Sequence, residues 1–71
     1  MNKNLHPVVI ELLTDIAVFR ERSGMDRTTF GLKAMNDPSF ISRLELGRNP
    51  RFVTIEKVRE FIAKRTKAVR K

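Results

Sequence analysis

Apolar residues along the chain recur at intervals of three and four, and no segment shows the alternation of a half-buried strand. Between Pro7 and Ser23, the residues Val9, Leu12, Leu13, Ile16 and Phe19 form one inner stripe, which predicts an amphipathic helix over 7–23. Pro7 suits a first helical position and Gly24 the residue just past the end. A second, short helix is predicted over 27–35, capped by Asp26 or Thr28, with Phe30 and Ala34 facing inward. Gly31 in its interior costs about 1 kcal/mol relative to alanine, a cost that close contact with a neighbouring helix would explain. A third helix is predicted over 38–46, with Asp37 as N-cap, Pro38 at the first position and Gly47 at the end. Ile41 and Leu44 lie on one side of it, flanked by Phe40, and positions 39, 42, 43 and 46 lie on the other. A fourth is predicted over 54–66, capped by Thr54 and burying Ile55, Val58, Phe61 and Ile62, before fraying into a basic tail at 64–71. Phe52, in the loop before it, is expected to plug back into the core.

These elements predict an all-α fold of four helices, one domain over 1–71, without repeats or a low-complexity linker. The third helix has barely two and a half turns, too few to hold itself together in water. Packing must stabilise it, and its outer face is left free to touch something. Two short helices with a tight turn between them describe a helix-turn-helix.

Charge sharpens this picture. The net charge is +7, yet residues 1–47 balance six Lys/Arg against six Asp/Glu. Residues 48–71 hold nine Lys/Arg against Glu56 and Glu60, so the whole excess lies in the last third. Such asymmetry points to a polyanionic partner, nucleic acid or an anionic membrane surface. The plainer reading is solubility, with cations favoured near a helix C-terminus. Five leftover apolar residues, Val8, Val18, Leu32, Leu46 and Val69, are not obviously used by the core pattern.

Several chemistries drop out. There is no cysteine and one histidine, which excludes disulfides, thiolate metal sites and histidine clusters. His6 before Pro7 is read as a helix-entry residue. No acid pair, Ser–His pairing or phosphate-cradling glycine loop appears, so no catalytic residue, metal or cofactor is expected. No apolar run approaches a membrane span and the start lacks a signal-peptide layout. A cytoplasmic protein with no membrane role and no small-molecule ligand is expected.

The segment "ISRLELGRNPRF", Ile41 to Phe52, resembles the recognition-helix ending of the Cro/repressor-type helix-turn-helix family, an Ile-Ser-Arg-Ile-Glu-x-Gly run followed by a basic, proline-containing loop. Upstream, "RERSGMDRTTFG", Arg20 to Gly31, is similar to the family's Arg-x-x-x-Gly-hydrophobic-Ser/Thr-x-x-x-Leu-Ala pattern, with Phe30 for leucine and Gly31 for alanine. The likeness covers roughly residues 16–62. Met35 stands where the family's turn usually carries glycine, and Asn36 next to it tolerates a left-handed conformation, which shifts the turn by one. Pro38 stands where glutamine or serine is common, and a proline cannot read a base by hydrogen bonding.

The resemblance implies double-stranded DNA as partner, with the third helix in the major groove. It makes Ser39, Ser42 and Arg43 the base readers, Arg43 having the fork geometry for guanine O6 and N7. Phe40 is expected to pack beneath the helix rather than press on a thymine methyl group. Arg27, helped by Thr28, is implied to grip the backbone at the second helix; Arg48, Asn49 and Arg51 would do so after the third, with Lys33 a weaker candidate. The alternative for each cation is a solvated surface charge. Arg20 and Glu45 are implied to form a partly buried structural ion pair, so that Glu45→Ala would lose the fold and Arg43→Ala would keep it.

One recognition helix reads about four base pairs, separating about 256 sequences against on the order of 10⁶ competing sites. A homodimer on an inverted-repeat operator, acting as a repressor of its own promoter, answers that shortfall. The alternatives are a DNA-binding antitoxin or adaptor whose main partner is another protein, and a basic RNA-binding protein. The latter is disfavoured because the five phenylalanines sit mostly at core spacing and there is no Tyr or Trp to stack on bases.

Overall fold

All regular structure among the described residues is helical: α1 (Pro7–Ser23), α2 (Arg27–Met35), α3 (Phe40–Glu45) and α4 (Phe52–Arg70). The computed structural model describes residues 5–70, and for 67–70 the backbone only. The apolar Val69 and the last charges of the basic tail therefore lie outside the described side chains.

Local chemistry sets the helix ends. At the start of α1, His6 Nδ1 accepts the Val8 N–H at 3.0 Å, which makes this histidine an N-cap. The helix closes at Gly24, whose φ of 76° is left-handed and whose N–H reaches the Arg20 carbonyl at 2.8 Å. Asp26 caps α2 by accepting the Thr29 N–H at 2.7 Å. That helix ends at Asn36, the sole non-glycine among the described residues with positive φ (58°).

Each helix gives one face to the core. Val9, Leu12, Ile16 and Phe19 come from α1, Phe30 from α2, Phe40, Ile41 and Leu44 from α3, and Val58 from α4. Full burial of a side chain such as Phe30 or Leu12 stabilises the fold by about 1.5–3 kcal/mol. Phe19, Phe30 and Phe61 meet edge to face with ring centroids 5.4–5.8 Å apart, joining α1, α2 and α4. On the surface, Arg59 of α4 bridges to Glu11 (3.6 Å) and Asp15 (3.3 Å) of α1.

Three expectations are corrected. Helix α3 begins at Phe40 rather than Pro38, because Asp37 and Pro38 form a turn. Asp37 accepts the Ser39 N–H on its carboxylate (3.0 Å) and the Phe40 N–H on its carbonyl (3.1 Å). Aspartate followed by proline suits the first two positions of such a turn as well as it suits a helix start. Helix α4 begins at Phe52 and its backbone stays helical to Arg70, so Thr54 sits in its first turn rather than capping it. Phe52 does not plug into the core but is 71% exposed. It occupies the first helical position, one turn before Ile55, where α4 reaches the other helices.

Candidate nucleic-acid interface

The site is built around the junction of α2 and α3. Asn36 N–H donates to the Leu32 carbonyl (2.9 Å) and Asp37 N–H to the Gly31 carbonyl (3.0 Å), so the turn folds back over the end of α2. A Cβ at position 31 would collide with the Asp37 carbonyl oxygen and stand 3.4 Å from Phe40 Cβ. Gly31 is therefore required by the turn and the start of α3, a narrower contact than helix against helix.

Helix α3 shows two different faces. Phe40, Ile41 and Leu44 are buried, while Ser42 and Arg43 are exposed. Phe40 packs at 8% exposure. Ser39, exposed at the N-cap position, makes no side-chain capping bond. The far end closes with a Schellman arrangement: Arg48 N–H reaches the Arg43 carbonyl and Gly47 N–H the Leu44 carbonyl, both at 3.1 Å, with Gly47 at φ 101°.

Charge pairing differs from the expectation. Glu45 pairs with Arg27, not Arg20. The Arg27 fork donates to both carboxylate oxygens, at 3.0 and 2.6 Å, and to Ser42 Oγ at 3.4 Å. Arg20 instead donates from Nε to the Met25 carbonyl at 3.1 Å, bracing the α1–α2 connection. The hydrogen bonds from Arg27 hold the Glu45 carboxyl below its ordinary range, against a smaller opposing effect of burial. The same bonds raise the Arg27 guanidinium. Both side chains are about two-fifths exposed, so the Glu45 pair is partly buried as expected, but its partner is Arg27. This clamp also engages the arginine expected on a DNA phosphate. Arg43 Nη1 lies 3.4 Å from Asp37 Oδ2.

The cations expected after α3 are brought together. Arg43, Arg48, Asn49, Arg51 and Thr54 line one open cleft of about 360 Å³, with Asp37 on its wall. Thr28 and Lys33 are exposed on α2, outside that cleft. Sequence reasoning missed Asp37 as a partner of Arg43 and Arg27 as the partner of Glu45. Asp37 read as a cap, and an 18-residue separation leaves no local pattern for the second pair.

Large apolar side chains also reach solvent at the end of α3 and the start of α4, with Leu46 86%, Phe52 71% and Val53 58% exposed. No group of three or more His, Cys, Asp or Glu among the described residues could hold a metal ion. No described helix is long and apolar enough to cross a membrane. No family model matches the chain, and neither does any curated protein or any solved structure compared with it.

Proposed function

We propose that this protein is a sequence-specific DNA-binding regulator that lays α3 in the major groove. The observation that carries the reading is the division of α3: an inner face of Phe40, Ile41 and Leu44 fixed in the core, and an outer face of Ser42 and Arg43 turned to solvent. The loop that follows it is basic. Arg43 reads guanine, Ser39 and Ser42 add weaker base or phosphate contacts, and Arg48, Asn49 and Arg51 hold the backbone. Arg27 is reassigned from phosphate to the Glu45 clamp, which fixes α3 on α2. Two copies on an inverted repeat supply the discrimination that one helix lacks, and repression of its own promoter is the regulatory role proposed.

Selection of bound duplexes from a random library, followed by salt titration of the winner, tests this. The expected result is an inverted repeat with guanine in each half-site, its affinity falling with log salt at about −0.9 per neutralised phosphate. No consensus, together with equal competition by single-stranded RNA, would reject it. A second reading, a DNA-binding adaptor or antitoxin held by another protein, draws on the exposure of Leu46, Phe52 and Val53. It predicts a protein that stays monomeric by sedimentation at every concentration until that partner is added.

A further inference from the structure

We infer that Asp37 is a positioning residue for sequence discrimination: it keeps Arg43 off the DNA phosphates and aims its guanidinium at a base edge. The inference rests on the reading of α3 as a DNA-recognition element. Three arginines, Arg43, Arg48 and Arg51, line the same cleft, and Asp37 is the one carboxylate among the lining residues. Left alike, all three would be drawn to phosphate, and phosphate contacts carry no sequence information. Asp37 makes them unlike. Its Oδ2 lies 3.4 Å from Arg43 Nη1, whereas no described carboxylate lies within ion-pair distance of Arg48 or Arg51.

Asp37 suits this task because it cannot easily move. Its N–H donates to the Gly31 carbonyl, its own carbonyl accepts from Phe40, and its Oδ1 accepts from Ser39. The Asp37 carbonyl also lies against Gly31, so close that a Cβ there would collide with it. The second carboxylate oxygen is thus a fixed post at the root of α3. A guanidinium carries five N–H donors in a planar fork. One edge against Asp37 leaves another for guanine O6 and N7, and the Arg43 side chain is 51% exposed. The neighbouring carboxylate also offsets the arginine's charge, so a phosphate gains less from it while a neutral base edge keeps its hydrogen bonds.

The test reads salt dependence and discrimination together. Asp37→Asn keeps an oxygen for the Ser39 N–H and removes the charge. It is expected to steepen the log K against log salt slope on an unrelated duplex by about 0.9, one added phosphate. Discrimination between the selected duplex and one with its guanine replaced should fall about fivefold, the lower end of what a bidentate pair supplies. Glu21→Gln makes the same change in net charge on the exposed side of α1 and is expected to change neither quantity. Arg43→Gln leaves the turn intact and provides a second route. It should lose the discrimination while leaving the wild-type salt slope unchanged. A slope that drops by about 0.9 in Arg43→Gln makes Arg43 a phosphate contact and overturns the proposal. So does an Asp37→Asn protein of wild-type melting temperature with unchanged slope and discrimination. A wild-type protein without any preferred duplex rejects the DNA-recognition reading itself, whereas a clear preference untouched by Asp37→Asn rejects the positioning role alone.

Discussion

The two junctions that flank α3 are built on different principles. The first, residues 36–39, is pinned by hydrogen bonds from its backbone to α2, by an Asp37 carboxylate on Ser39, and by contact with a glycine that has no side chain to spare. The second, residues 46–51, is closed by backbone bonds at Arg48 and Gly47 and is exposed apart from the half-buried Pro50; nothing lies within 4 Å of a Cβ placed on Gly47. One end of α3 is held to a geometry and the other presents Arg48 and Arg51 on a chain that side-chain packing scarcely constrains. Under the proposed function this separates two tasks. A base edge demands an accurately placed donor, while a phosphate accepts a cation from many directions.

The contrast is sharpest at the two glycines. Gly31→Ala should cost about 3 kcal/mol, the upper end for overpacking a filled site, because the colliding atom belongs to the turn's backbone. At roughly 4–8 °C per kcal/mol for a domain of this size, the midpoint should fall by more than about 12 °C in a thermal melt. Gly47→Ala meets open space and bears only the strain of a left-handed backbone, about 1–2 kcal/mol. Equal losses at the two positions would remove the distinction between a packed and an unpacked junction.

Removing a cation from the second junction acts on binding instead. Arg48→Gln should leave the melt unchanged and weaken binding about fivefold near physiological salt, with the salt slope reduced by about 0.9. The loss should be the same on selected and unrelated duplexes, as filter binding on both would register. A loss confined to the selected duplex would mean that Arg48 reads sequence, and the two ends of α3 would then share one task.

The Arg27–Glu45 clamp ranks next. Both side chains are about two-fifths in solvent, so Glu45→Gln should cost at most about 1 kcal/mol at neutral pH, and the fold should survive. This replaces the expectation of a collapsed fold, which rested on a partly buried pair with Arg20 that does not form. The pH dependence follows from the direction of the shift. Glu45 is held below its ordinary value of 4.5 mainly by hydrogen bonds from Arg27. The stabilisation is therefore complete above that value and lost as pH falls through the lower folded-state value. Urea titrations of wild type and Glu45→Gln should differ at pH 7 and converge in acid below that window. Asp26, lowered chiefly by its bond to the Thr29 side chain, remains in both proteins and so cancels from the difference.

Much of this architecture could be read from the chain because its signals are local. The ends of α1 and α2 lie where Pro7, Gly24 and Asp26 mark them, and the buried stripe of α1 follows directly from spacing. The start of α3 was not legible, since Asp-Pro serves equally as a helix opening and as a turn, and only the carbonyl of Asp37 against Gly31 selects between them. Partner choice among arginines was equally hidden. Arg20 and Arg27 both stand near Glu45, but the Met25 carbonyl takes Arg20, and no periodicity encodes that competition. The gathering of Arg43, Arg48 and Arg51 on one cleft depends on how the second junction curls, which the loop's composition does not specify.

The smallest effect is expected at Phe52, where the expectation of a buried ring failed. A phenylalanine with 71% of its surface in solvent has little burial to lose, so Phe52→Ser should shift stability by no more than about 0.5 kcal/mol in a urea melt. Were the ring part of the core, the same change would cost about 3–5 kcal/mol, a gap too wide for the measurement to miss. Dilution separates two reasons for the exposure. If the ring meets a second copy, as the homodimer proposal allows, wild-type stability should rise with protein concentration and the variant's should not. If both melts ignore concentration, Phe52 takes no part in self-association, and the dimer must be sought on another face.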